Sequence, residues 1–160
     1  GIVMHNIITQ ESLTEVFDRI TRKVTKQAAG IYLEPGLTKP SGSLYTVYAQ
    51  FEGGFNTGLS MCAEATMFTR LTRYMIGLDD VTQEEVEDFS TEYFNMVCGC
   101  IASHLFKITK IPSRFTIPKF YRGRYAPEGH DEHLILTYVS DGQESVQLIH
   151  HMPSMVSADA

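Results

Sequence analysis

One uninterrupted helical pattern runs from Thr82 to about Lys107, and the rest of this 160-residue chain must be arranged around it. Thr82, with Glu85 three residues on, carries the capping-box signature of a helix start. A span of about 26 residues corresponds to roughly 39 Å of helix. Positions three and four apart share a helical face. Glu85, Asp88, Glu92, Asn95, Gly99 and Ser103 therefore form a polar stripe that ends in small residues, while Val86, Phe89, Tyr93, Val97, Cys100 and Ile101 fall opposite. A helix packed on such an apolar back presents a carboxylate and an amide as a rigid pair, suited to positioning water or docking a partner.

The remaining pattern predicts two shorter helices and a set of strands. Leu13, Val16, Phe17, Ile20 and Val24 repeat at helical spacing from Thr9 to Lys26. Two starts fit: Thr9 as N-cap with Ile8 packed on Leu13, or Ser12 with Glu15 as a capping box. A short strand is expected around Ile31 to Leu33, then a Gly/Pro/Ser-rich loop from Pro35 to Ser43. Leu44 to Phe51, Gly53-Gly54 and Phe55 to Met61 read as a β-hairpin. Ala63 to Ile76 reads as a helix with Met67, Phe68, Leu71, Tyr74 and Met75 inward and Gly77 as its C-cap. Strands follow at Arg114 to Phe120, His133 to Ser140 and Ser145 to Met152, with Asp141-Gly142 turning the last pair. The order predicts one α/β (α+β) domain over residues 1–152, with an antiparallel or mixed sheet and three helices, and a flexible tail over 153–160.

Composition narrows the function classes. A net charge of −6 argues against a dedicated nucleic-acid binder, and the aromatic–arginine run from Phe120 to Tyr125 does not overturn that. No apolar run approaches a membrane span and the N-terminus lacks a secretory pattern, so a cytoplasmic protein is expected. Three cysteines do not make a disulfide framework; Cys98 and Cys100 point about 200° apart around a helix, and buried free thiols are expected. Tyr74 to Phe106 holds seven acidic residues and no Lys or Arg, whereas Lys107 to Arg124 holds six basic residues and no acid. The segment from His130 to His133 lacks a second ligand cluster and reads as a surface loop, not a metal site. Only one of His150 and His151 is expected to face the core, and His104 to cap the long helix.

An acidic stripe on a helix is ordinarily its solvated face. Here Asp88-x3-Glu92-x2-Asn95 is followed, after 22 intervening residues, by Pro118. This spacing resembles the signature of the CheC/CheX chemotaxis phosphatases. The order of elements resembles that family over most of the chain. Glu11 and Glu15 of the first helix are followed three residues later by Thr14 and Asp18, not Asn, so the motif occurs once, as in the CheX branch.

The resemblance implies a homodimer that dephosphorylates the aspartyl phosphate of a CheY-like response-regulator receiver. Asn95 would orient the attacking water and Glu92 would pair with the receiver's active-site lysine. Asp88, Gly99 and Ser103 would contact the partner, and Pro118 would be structural, at an edge or bulge of the sheet. No cofactor of its own is implied, since the Mg²⁺ belongs to the receiver. The alternative is a binding module without catalysis, because flagellar switch proteins share the general fold.

Overall fold

The computed structural model describes residues 8–155. Helix α1 (Gln10–Ala29) starts at Thr9, whose hydroxyl accepts from the Ser12 backbone N–H at 3.0 Å. This selects the first of the two predicted starts, and Ile8 and Leu13 are both buried. Strand β1 (Leu33–Pro35) is followed by β2 (Leu44–Gly53) and β3 (Thr57–Glu64), a hairpin turned at Gly53. There φ is +103°, and a Cβ would lie 2.7 Å from the Pro112 carbonyl oxygen, so glycine is required. Helix α2 (Ala65–Ile76) ends on Gly77 in the left-handed region, and α3 runs from Gln83 to Thr109. Four strands complete the chain: β4 (Ser113–Phe115), β5 (Lys119–Arg122), β6 (His130–Ser140) and β7 (Ser145–Pro153).

The seven strands form one antiparallel sheet in the order β1-β6-β7-β3-β2-β4, with β5 also paired to β2. Alternate residues of β2, β3 and β7 (Val47, Ala49, Phe51; Leu59, Met61, Ala63; Val146, Leu148) meet the apolar stripes of the three helices in one core. Burial of these large side chains dominates the stability of the fold. Polar ties add register: Tyr138 donates to Asp18 at 2.6 Å, joining β6 to α1, and Arg70 of α2 bonds Glu144 and Asp141 at the β6–β7 turn. Among the described residues, no helix is long and apolar enough to cross a membrane.

Several expectations need correction. The predicted strand from Arg114 to Phe120 is two strands, β4 and β5. The register against β2 shifts between Phe51↔Phe115 and Tyr48↔Lys119, so the outer strand bulges between them. Residues 130–133 are not a surface loop but the start of β6, with an irregularity between Glu132 and Leu134. His150 and His151 do alternate, yet both are buried: the outer face of the sheet is covered too, with Tyr125 and Arg124 folded over Tyr48 and Gln147. Tyr74 is exposed, not inward, and so is Cys100, whereas Cys62 and Cys98 are buried. His104 does not cap α3, which continues to Thr109 and closes on Lys110. Met152 and Pro153 belong to β7, and the remaining expected tail beyond residue 155 lies outside the described residues, as do residues 1–7.

Candidate functional site

The candidate site is the solvent face of α3, and its rigidity begins at the cap. Thr82 Oγ1 accepts from the Glu85 N–H at 3.1 Å while Glu85 Oε1 accepts from the Thr82 N–H at 2.8 Å. The helix then buries Val86, Ser90, Tyr93, Phe94, Val97, Cys98, Ile101, Leu105 and Thr109. The buried arc is centred closer to Phe94 and Cys98 than the sequence pattern implied, which leaves Cys100 in solvent and Phe89 half-buried. Tyr93 anchors the helix: its side chain is fully buried, its hydroxyl lies 2.5 Å from Thr25 Oγ1, and it also reaches Met61 Sδ at 3.5 Å. Burial pushes its phenol well above the ordinary range, so it stays neutral.

Glu92 and Asn95 lie one residue before and two after that anchor. Asp88 and Glu92 are exposed and Asn95 is half-buried. Among the described residues their side chains have no hydrogen-bond or ion-pair partner. An asparagine in mid-helix with a free amide keeps both donor and acceptor available outward. The backbone geometry fixes where these groups point, while their polar ends stay uncommitted.

Gly99 has no structural reason to be glycine. A Cβ there would lie 3.9 Å from the Phe115 ring, an ordinary contact. Gly99 and exposed Ser103 border a groove of about 310 Å³ between α3 and α1, whose other walls include Lys23, Gln27, Cys100 and Lys107. Arg19 Nη2 sits 2.7 Å from His104 Nε2 beside it. Burial, then Arg19, Lys107 and Lys23, hold the His104 pKa below its ordinary value. The face of α3 thus passes from acidic at Asp88 and Glu92 to basic at Lys107. The basic β5 partly neutralises the acidic end, through Arg122–Glu87 at 3.4 Å.

Pro118 is buried in the break between β4 and β5, two strands that both pack against α3. Having no N–H, it fits a position where the pairing with β2 lapses. The α1 side of the groove was not legible from the motif. Lys23 and Gln27 lie four apart on the polar face of α1, but only the antiparallel packing, with Thr25 at Tyr93 and Arg19 at His104, brings them beside Ser103. No group of three or more His, Cys, Asp or Glu among the described residues is placed to hold a metal ion.

Three helices on one face of an antiparallel sheet, with an uncommitted Glu–Asn pair on the longest helix, define a CheC/CheX-type domain. The family described as chemotaxis phosphatase CheX matches residues 45–136, more than half of the chain. The chain belongs to the CheX family. Among curated protein sequences no match is found. Of solved structures, CheX in the Borrelia burgdorferi CheX–CheY–BeF3–Mg²⁺ complex superposes with a TM-score of 0.71 at 16% identity, covering 86% of this chain and 96% of that one. Desulfovibrio desulfuricans CheX gives 0.68 at 17% identity, covering 86% and 98%. The fold extends to Thermotoga maritima FliY, with a TM-score of 0.63 at 13% identity, covering 96% and 95%.

Proposed function

We propose that the protein is a phosphatase acting on the aspartyl phosphate of a CheY-like receiver, through the exposed face of α3. The observation that carries this reading is the Glu92–Asn95 pair, held by the buried Tyr93 yet with no side-chain partner among the described residues, in a chain of the CheX family. An acyl phosphate is already activated, and the receiver brings its own Mg²⁺. What remains is to hold water in line with phosphorus in a dry, ordered interface. Asn95, neutral and able both to donate and to accept, performs that task by aligning the water. Glu92, one turn earlier, fixes the docking register on the receiver's active-site lysine, with Asp88 adding a contact. Gly99 lets the partner's backbone approach the helix, and Ser103 extends the contact towards the groove. The chain acts as a homodimer in the cytoplasm, its sheet continuing across the two-fold axis so that both α3 helices remain free.

The competing reading is a receiver-binding module without catalysis, and the fold shared with FliY keeps it in contention. The test is the decay of a phosphorylated CheY-like receiver with and without the protein, alongside binding. Accelerated decay supports the phosphatase. Binding with an unchanged phosphoryl lifetime supports the module.

A further inference from the structure

The exposed face of α3 differs across its width, and one half of it has no part in the chemistry described above. Glu92 stands near the middle. Residues three and four away are its neighbours on the helix surface, so Asp88 and Asn95 flank it on one side and Phe89 and Met96 on the other. The polar flank continues to Gly99, above the Phe115 ring of β4. The apolar flank lies along Tyr93, whose hydroxyl meets Thr25 of α1: Phe89 stands one turn before Tyr93 and Met96 one turn after it. Cys100, a further turn on, continues this line into the groove against α1.

Phe89 and Met96 do not serve the core. Phe89 is half-buried and Met96 is 40% exposed, and neither belongs to the core cluster or packs against it. On the opposite shoulder of the helix Ala102 and Phe115 do pack against it. A single exposed apolar side chain needs no explanation. Two of them bracketing one uncommitted carboxylate are a different arrangement, because they control how wet that carboxylate is once a partner arrives.

An ion pair left in water contributes little, since solvent and salt screen it. Glu92 can set a docking register on a lysine only where the same contact excludes water, and apolar contacts ringing a polar one do that. Phe89 offers a rigid ring, and Met96 an unbranched, adaptable side chain that fits surfaces of varied shape.

We propose that Phe89 and Met96 form the apolar half of the docking face, shielding Glu92 and selecting receivers that carry an apolar patch beside the active-site lysine. A receiver with a charged side chain at that place is disfavoured, because docking would strip the charge of water without pairing it. The partner's identity rests on the phosphatase reading; the role of Phe89 and Met96 in docking does not require Asn95 to be catalytic.

The test follows decay of a phosphorylated CheY-like receiver over a range of protein concentrations, with binding to the same receiver read by calorimetry. Met96→Gln keeps the side-chain length and a good helix former but is polar. It should raise the half-saturating concentration about fivefold or more, with the plateau rate and Tm unchanged. Met96→Leu should restore half-saturation, and Phe89→Gln added to Met96→Gln should weaken docking further. In a Glu92→Gln background the Met96→Gln penalty should shrink, since no ion pair remains to be shielded. The proposal is overturned if Met96→Gln leaves half-saturation and affinity unchanged, if it lowers the plateau instead, if Met96→Leu does not rescue, or if the Glu92 and Met96 penalties simply add. A wild type that binds without accelerating decay removes the phosphatase reading alone, and the calorimetric comparison still decides this proposal. A wild type that does not bind overturns both.

Discussion

Tyr93 is the residue on which the candidate site depends, although it faces away from solvent. Its hydroxyl between Thr25 and Met61 fixes the rotation of α3, and so the direction of Glu92 and Asn95. Tyr93→Phe should cost about 1–2 kcal/mol, the price of one buried hydrogen bond, read as a lower urea midpoint. Gly99 makes a contrasting prediction. Because a Cβ there meets nothing closer than the Phe115 ring at 3.9 Å, Gly99→Ala should leave the fold intact and, by its higher helix propensity, stabilise it slightly. It should nevertheless weaken receiver binding at least tenfold in a calorimetric titration. Unchanged affinity would mean that no partner approaches there. The motif residues were legible in the sequence because helical spacing alone aligns Asp88, Glu92 and Asn95. The burial of Cys98 and exposure of Cys100 were not, because the arc a helix buries depends on which neighbours flank it.

Among the elements, the long helix was the easiest to read and the outer strands the hardest. The Thr82–Glu85 capping box and the Gly77 C-cap are local signals written within a few residues, and the structure contains both. Splitting one expected strand into β4 and β5 depends on a register shift against β2, which no local pattern encodes. The groove between α1 and α3 is likewise a product of packing. Its basic rim, Lys23 and Lys107, stands beside Ser103, and charges at an interface rim act chiefly on association rate. Lys23→Glu with Lys107→Glu should slow receiver association severalfold at low salt, leaving the rate from the bound state unchanged. Stopped-flow traces over a salt series would show the difference vanishing as screening increases. An effect that persists at high salt would contradict an electrostatic role.

For the whole molecule, acid stability follows from three buried groups, two histidines and a glutamate, whose lowered pKa values act in the same direction. His150 and His151 are held at about 4 from an ordinary 6.5, chiefly by burial. The unfolded chain therefore binds more protons between those values, and stability falls as pH drops from 6.5 towards 4. Burial alone would raise the pKa of Glu144, but hydrogen bonds from Arg70 and Ser140 bring it below the usual value. Its contribution is present above the unfolded carboxylate pKa and is lost as pH falls through the folded one. Urea unfolding should thus show a declining midpoint below pH 6.5, and a flat profile from pH 7 to pH 4 would contradict this. The proposed dimer predicts twice the 18.0 kDa protomer mass in solution light scattering; a single-protomer mass would contradict it. The α/β class and the element order were legible because periodicity changes cleanly along the chain. That both sheet faces are covered was not, since it depends on Arg124 and Tyr125 folding back over β2 and β7.

The central claim is that Asn95 positions water on a receiver's phosphoryl group. It is tested most directly by phosphoryl decay on a CheY-like receiver saturated with either wild type or Asn95→Ala. The account predicts accelerated decay with the wild type and a loss of about 10²-fold or more of that acceleration in the variant, with receiver binding and Tm preserved. A variant that binds and still accelerates decay at the wild-type rate would contradict it.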